Sequence, residues 1–314
     1  MSTLTKTATG FVAQDTLMTY ATPGIELFEK GSPNWTLAAR RGGLDWEPTS
    51  RPVFDVLTSK NLPGIRATWN GETFLGVVTD VHQLIPHHRA GGMGDVVKAI
   101  VGMYPDSSIT ALVQLDGGKR IGARITHEEF FLPGDESPIQ KETWVWLRHD
   151  AKGSLAVIEN AQRMFCTNQL GSYSGAASEL FVRHTGDTEA KVADLVEKLT
   201  ARRDDWKLWE EEMAVLQATP VRNGQFDWFT KVYIPEPVPP VSNTRALSAQ
   251  GDLYAQWAKY SVELGPNAYA GFQAIVEFED KVRASRGAVS RFQRAIQPNP
   301  NKQRGLRMLM EVAR

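Results

Sequence analysis

Alternation of apolar and polar positions shapes the chain up to residue 187, and a three-to-four spacing shapes the remainder. The clearest alternating stretch runs from Thr143 to Asp187, with Trp144 and Trp146 on one run and Leu155 and Val157 on the next. Asp150-Ala151-Lys152-Gly153 joins the two runs, so a hairpin is predicted, with Gly153 as the residue able to take positive φ. Two more hairpins are predicted upstream. Ile65–Trp69 and Thr73–Val78 flank Asn70-Gly71, and Ile109–Leu115 and Arg120–Ile125 flank Asp116-Gly117-Gly118. Short helices are expected over Pro33–Arg41, ended by Gly42-Gly43, and over the VVKAIVGMY run after Gly94. Residues 1–31 show no period and are expected to pack peripherally.

Beyond His184 the spacing of Val192, Leu195, Leu199, Trp206, Trp209, Met213 and Leu216 predicts one long amphipathic helix from about Thr188 to Gln217. The proline-rich IPEPVPP stretch cannot continue a helix and reads as an extended linker. Leu253, Trp257, Tyr260 and Leu264 predict one further helix, Phe272, Ile275 and Val276 a second, and Val289, Phe292 and Ile296 a third. Hairpins and short helices give an α+β class with an antiparallel sheet. The predicted organisation is an α+β core over 1–232, a linker over 233–241 and a helical region with a basic tail over 242–314.

Composition keeps the chain among ordinary globular proteins, with 42% hydrophobic and 23% charged residues. No apolar run approaches the ~18 residues of a spanning helix. The N-terminal MSTLTKTATG lacks the pattern of a signal peptide, so a cytoplasmic protein without membrane contact is expected. A single cysteine forbids an intramolecular disulfide. The formal net charge of −1 conceals an asymmetry: from Lys281 onward nine Lys and Arg face one acid, Glu311, leaving −9 on residues 1–280. Such a tail suits an anionic partner or an acidic neighbour, and a solvated basic helix face is an equal reading.

Candidate chemistry is sparse. Asp80, His82, His87, His88 and Asp95 are metal-ligating residue types, but their spacing fits no metal motif. Gly91-Gly92-Met93-Gly94 precedes a helix, as a phosphate cradle does, without the lysine and hydroxyl of a nucleotide-binding loop. Cys166 beside Phe165 reads as a buried thiol rather than a nucleophile. No catalytic residue and no cofactor is assigned. Arg148, Lys152, Arg163 and Arg183, interleaved with Trp144 and Trp146, could track a phosphate backbone while aromatics meet bases. The residues alone favour the plainer arrangement, with the tryptophans in the core and the arginines on a solvated face.

GLDWEPTSRPVF (43–54), FLGVVTDVHQLI (74–85), WLRHDAKGSLAVIENAQRMFCTNQL (146–170), LFVRHTGD (180–187) and NAYAGFQAIVEFED (267–280) resemble, in order and spacing, the phage/plasmid-like family catalogued as domain of unknown function 932. Its most specific piece is Arg163-x-x-Cys166-x-Asn168-x-Leu170 followed by Arg183-His184-Thr185. Two places depart from the family pattern: Pro86-His87 stands where relatives carry Gln-Asn, and Asn160-Ala161 where they carry Thr-Pro. The resemblance implies a phage or plasmid protein in the cytoplasm of a bacterial host cell, with a role in replication, recombination or modification of mobile DNA. At the level of fold, a hairpin-built sheet backed by a long helix is similar to phage single-strand annealing proteins of the RecT and Redβ kind.

The expected function is nucleotide-independent binding and annealing of single-stranded DNA by a homo-oligomer. Lys119, Arg120, Arg148, Lys152, Arg163 and Arg183 would line the groove, and Lys281, Arg283, Arg286, Arg291 and Arg294 would extend it. One alternative is a metal-dependent nuclease using Asp80, His82, His87 and Asp95. The other is a non-enzymatic partner-binding or structural phage protein.

Overall fold

The computed structural model describes residues 4–7, 10–14, 35–164, 168–170, 180–202, 205–238, 242–283 and 299–313. The class is α+β, as expected. The strands are β1 (Leu4–Thr7), β2 (Gly10–Gln14), β3 (Thr49–Phe54), β4 (Asn61–Asn70), β5 (Thr73–Thr79), β6 (Ser108–Leu115), β7 (Arg120–Phe130), β8 (Ile139–Arg148), β9 (Leu155–Arg163), β10 (Asn168–Gln169) and β11 (Phe181–Val182). The helices are α1 (Trp35–Arg41), α2 (Met93–Met103), α3 (Thr188–Ala201), α4 (Asp205–Ala218), α5 (Asn223–Tyr233), α6 (Thr244–Leu264), α7 (Ala268–Glu277) and α8 (Pro300–Ala313).

A large sheet has the order β1-β2-β6-β7-β8-β9-β10, with β11 also on β9, and a second, three-stranded sheet has the order β3-β4-β5. All three predicted hairpins form. Two details of their turns differ from expectation. In the β8–β9 connection the positive φ falls on Ala151 and not on Gly153, whose missing side chain instead leaves room for Arg148, 2.2 Å from where a Cβ would sit. In the β4–β5 hairpin Asn70 pairs with Thr73, so the loop is Gly71-Glu72 and Gly71 alone takes positive φ, at 55°.

Two expectations are corrected, and a third falls outside the described residues. Residues 1–31 supply β1 and β2, and β2 joins β6 in parallel, Val12 opposite Leu112, so the large sheet is not wholly antiparallel. A parallel pair needs a long connection, and the chain between β2 and β6 provides one. The single helix expected over 188–217 is two helices, because at Arg202 the chain leaves helical geometry and its N–H turns back to the Leu199 carbonyl. Periodicity carried through both helices because each buries its own stripe, Val192, Leu195 and Leu199 in α3 and Trp206, Trp209, Met213 and Leu216 in α4. The third C-terminal helix, placed around Val289, Phe292 and Ile296, lies outside the described residues.

The chain divides into two compact units, residues 1–128, 141–159 and 175–203 in the first and 129–140, 160–174 and 204–314 in the second. The proline-rich stretch expected to be a linker falls within the second unit. In the first unit, one apolar core joins Trp35, Ala38 and Leu44 to the buried face of α2 (Val96, Val97, Ile100), to the sheet residues Ile109, Leu112, Ile125, Val145 and Leu147, and to α3. In the second, α7 is buried along all of Ala268–Val276, its Asn267 cap accepting from the Ala270 N–H at 2.9 Å. A helix apolar all round belongs in the middle of a core. Gly271 lets α8 approach it, since a Cβ there would stand 2.7 Å from Leu309.

Candidate nucleic-acid interface

The three-stranded sheet has one covered face and one open face, and a bulge sets which side chains go where. Cross-strand partners share a face, so Arg51, Ala67 and Val77 lie on one side, as do Thr49, Trp69 and Phe74. The register shifts between Thr68 and Trp69, which puts Leu75 and Gly76 side by side on the covered face. That face is tied down: the Thr68 hydroxyl donates to the His149 carbonyl at 2.6 Å, and a Cβ on Gly76 would stand 2.8 Å from the Asp150 backbone.

On the open face the Arg51 guanidinium sits 5.1 Å from the Trp69 ring centroid, anchored by a 2.9 Å hydrogen bond to the Gly71 carbonyl. Phe74 meets the same indole edge-on, with centroids 5.5 Å apart, and is 45% exposed. Two turns adjoin this end of the sheet. The Asp116–Lys119 turn comes against it through Gly117, whose Cβ would lie 3.2 Å from Thr73, and through Gly118 near Asn70. The Asp150–Gly153 turn comes against it through Asp150 and Gly76, and the two turns are joined where the His149 N–H donates to the Lys119 carbonyl at 2.8 Å.

The expected groove residues divide sharply. Lys119 is half-buried and Lys152 exposed, each on one of these turns. Arg120 is ion-paired to Asp116. Arg148 holds Asp150 in a fork of 3.0 and 2.7 Å while keeping about a quarter of its side chain exposed, and this pairing holds the Asp150 carboxyl below the usual range despite burial. Arg183 is exposed, 5.6 Å over the Phe181 ring. Arg163 is no groove residue: it is 1% exposed and belongs to the other unit, where it grips Asp135 and Glu263. Lys281 and Arg283 are exposed, with Arg283 paired to Glu279 at 2.9 Å, and Arg286, Arg291 and Arg294 lie outside the described residues. Trp144 and Trp146 are interior, stacked on each other at 5.4 Å, with Gly122 making room for the second.

The residues of the nuclease alternative are not brought together. Asp80 is exposed; Asp95 accepts from the Gly91 N–H at 2.8 Å and from Lys98. His82 stacks on His184 with centroids 4.4 Å apart, and His87 shares a 2.9 Å Nε2–Nε2 hydrogen bond with His149 under the edge of Trp46. Glu47 clamps the loop by accepting from the N–H groups of His87 and His88 at 2.7 and 2.8 Å. Among the described residues no group of three or more His, Cys, Asp or Glu could hold a metal ion. Burial pushes His82 and His87 down to about 4 and His149 well below its usual range, so these rings are neutral at pH 7 and offer no charge to a phosphate. Gly92 and Gly94 serve packing: a Cβ would meet the Pro86 carbonyl at 2.4 Å or the Trp35 ring at 2.4 Å. Cys166 lies outside the described residues.

Residues 74–304 match the family described as Domain of unknown function (DUF932). The chain belongs to this family. No curated protein and no solved structure matches the chain. The DUF932 span opens at Phe74, inside β5, so Arg51 and Trp69 precede it, whereas Lys119, Arg148, Lys152 and Arg183 fall within it. Arg163 and Asn168, both within the matched span, point inward. Asn168 donates to the Tyr260 hydroxyl at 2.9 Å and to the Gln273 side chain at 3.0 Å, tying β10 to α6 and α7. No described helix is long and apolar enough to cross a membrane.

Arg51, Trp69 and Phe74 carry no signal in the sequence beyond their hairpin. Alternation separates two faces without saying which is covered, and the bulge at Trp69 is invisible to it.

Proposed function

We propose that this protein binds single-stranded DNA and promotes pairing of complementary strands without nucleotide hydrolysis, using the open face of β3-β4-β5 as its stacking platform. The supporting observation is Arg51 over Trp69 beside an exposed Phe74, with Lys119 and Lys152 on the adjoining turns. Every base has a π-face, so an aromatic platform accepts any sequence, while flanking cations meet the backbone. Guanidinium stacking on an indole adds a planar cation to the same surface. The platform thus replaces the β8–β9 tryptophans in the expected site, and Arg163 leaves it. Arg148 and Arg183 remain as peripheral cations.

The test is binding of a labelled oligothymidine followed by anisotropy, with strand pairing measured without ATP or divalent metal. Trp69→Ala with Phe74→Ala should weaken binding by about 1–3 kcal/mol for each stacked base lost. Wild-type affinity in this variant, with its fold intact, would remove the platform. Degradation of either strand on addition of manganese would instead favour a nuclease.

A further inference from the structure

Four of the six histidines meet where the three-stranded sheet is seated. They come from four places in the first unit: His82 follows β5, His87 lies in the loop before α2, His149 follows β8 and His184 follows β11. Two pairs result, His87 with His149 through the 2.9 Å Nε2–Nε2 hydrogen bond and His82 stacked on His184. His149 also lies within electrostatic reach of His82 and His184, so the pairs form one cluster.

The sheet that rests on this cluster is not part of its unit's core. Among the described residues, the apolar core of that unit takes no side chain from β3, β4 or β5, and only Ala67, Leu75 and Val78 of their apolar residues are buried. Polar contacts through the histidines hold the sheet instead. The Thr68 hydroxyl donates to the His149 carbonyl at 2.6 Å. Past the exit of β5, the Gln83 N–H donates to the His184 carbonyl at 2.8 Å, the His184 Nδ1 donates to the Gln83 carbonyl at 2.9 Å, and His82 pairs with Thr185. An element held by hydrogen bonds outside the core opens at a lower free energy than the whole fold.

We infer that the two imidazole pairs are an acid-released latch, whose protonation frees β3-β4-β5 and its adjoining turns while the core of the unit stays folded, and so switches off the stacking platform. The switch rests on the function proposed for that platform; the release of the sheet does not. The His87–His149 bond needs one ring to donate and the other to accept, so protonating both sets two N–H groups against each other across 2.9 Å. Two cationic rings stacked at 4.4 Å repel in the same way. His82 Nε2 and His149 Nδ1 are buried without a hydrogen-bond partner, and an imidazolium carries hydrogen on both nitrogens, so that N–H finds no acceptor. Anions do not match the four rings. Glu47 faces His87 but is engaged by the N–H groups of His87 and His88, and Asp150 faces His184 but is held by Arg148. His88 and Lys191 add positive charge or the capacity for it, Lys191 donating to the Thr185 carbonyl beside His184. Burial lowers all four histidines, His82 and His87 to about 4, whereas a released histidine titrates near 6.5. Opening therefore takes up protons and becomes easier as pH falls through that window, by up to about tenfold per pH unit for each ring freed.

Hydrogen exchange of the full chain without nucleic acid, read by mass spectrometry near pH 7 and near pH 5 and corrected for intrinsic exchange, tests the latch. Opening of Asn61–Thr79 should increase in acid at least about a hundredfold more than that of Ile109–Ile125. His82→Phe, which keeps a stacking ring that cannot be charged, should cut this gain about tenfold, and so should His149→Gln. Equal changes in both segments, no change in either, or a His82→Phe protein that responds like wild type would overturn the latch. Oligothymidine affinity at fixed salt should fall at least about tenfold over the same interval, opposite to the gain expected where histidines merely acquire charge beside a polyanion. Affinity that rises in acid while the sheet opens overturns the switch and leaves the platform standing. The expected exchange without DNA binding at either pH removes the platform, and the switch with it, and leaves the latch.

Discussion

Arg163 and Asp135 face each other in a two-pronged ion pair, both hydrogen bonds 2.7 Å long and both side chains almost wholly removed from solvent. Glu263 takes a further guanidinium hydrogen at 2.7 Å, and the Tyr269 hydroxyl donates to Asp135 at 3.0 Å. The arginine thus ties the end of β9 to the 129–140 segment and to α6 within one unit. A bidentate fork in a dry setting is a task for which lysine is a poor substitute. Arg163→Ala should destabilise the protein by about 3–5 kcal/mol, because it strands a buried carboxylate. Arg163→Lys should recover only part of this. Urea unfolding of that unit, followed by far-ultraviolet circular dichroism, reads both; a surface role would leave the midpoint unchanged and move only DNA binding.

The motif Arg163-x-x-Cys166-x-Asn168 was legible in the sequence as a specific pattern, yet its role was not. Positive charge on a strand reads equally well as a phosphate contact or as half of a buried pair. Only the partner decides, and Asp135 lies 28 residues away. The hairpins, by contrast, were legible because turn chemistry and alternation are local. Asn70-Gly71 and Asp116-Gly117-Gly118 sit where the chain reverses, with positive φ at Gly71, Asp116, Gly117 and Gly118. What failed was non-local: the parallel pairing of β2 with β6, the split between α3 and α4, and the choice of open face around Trp69.

The buried imidazoles make stability depend on pH. His87 has its pKa lowered to about 4 by burial, against the opposing pull of Glu47, and His149 is held well below its usual range by burial and by His87 beside it. An unfolded histidine titrates near 6.5. Between about 6.5 and 4 the unfolded chain therefore binds more protons than the folded one, and stability present above that window is lost as pH falls through it. Each such histidine adds a slope of up to about 1.4 kcal/mol per pH unit. Urea midpoints at several pH values between 7 and 4.5 should fall accordingly, and His149→Gln should flatten the dependence. An equal slope in the variant would show that other groups carry it.

Gly94 separates packing from ligand binding in the loop before α2. A Cβ there would stand 2.4 Å from the Trp35 ring and 2.9 Å from the His87 carbonyl, the same carbonyl that accepts from the Trp35 indole at 2.7 Å. Gly94→Ala should cost about 1–3 kcal/mol through overpacking, with DNA affinity retained in the folded fraction. Thermal unfolding paired with anisotropy distinguishes this from a phosphate cradle, whose loss would spare stability and abolish binding.

Lys119 and Lys152 bear on the proposed interface most directly, because they stand on two turns that adjoin the same sheet and that the His149 N–H ties together. Asp116 engages Arg120 and Asp150 engages Arg148, so the arginines of these turns are partly neutralised in place. Lys152 is exposed and Lys119 half-buried, and either can meet a phosphate without breaking the pairs that Asp116 and Asp150 already make. Each phosphate contact on a single strand contributes about 0.7 to the slope of log affinity against log salt. Lys119→Gln with Lys152→Gln should therefore lower the slope by about 1.4 while leaving the preference among base sequences unchanged, since neither group reads bases. Trp69→Ala should do the reverse, weakening binding at every salt concentration with little change of slope. If the lysine variants keep the wild-type slope, the phosphates run elsewhere and these turns are not the interface; if Trp69→Ala alone reduces the slope, the ring orders the backbone path instead of stacking on bases.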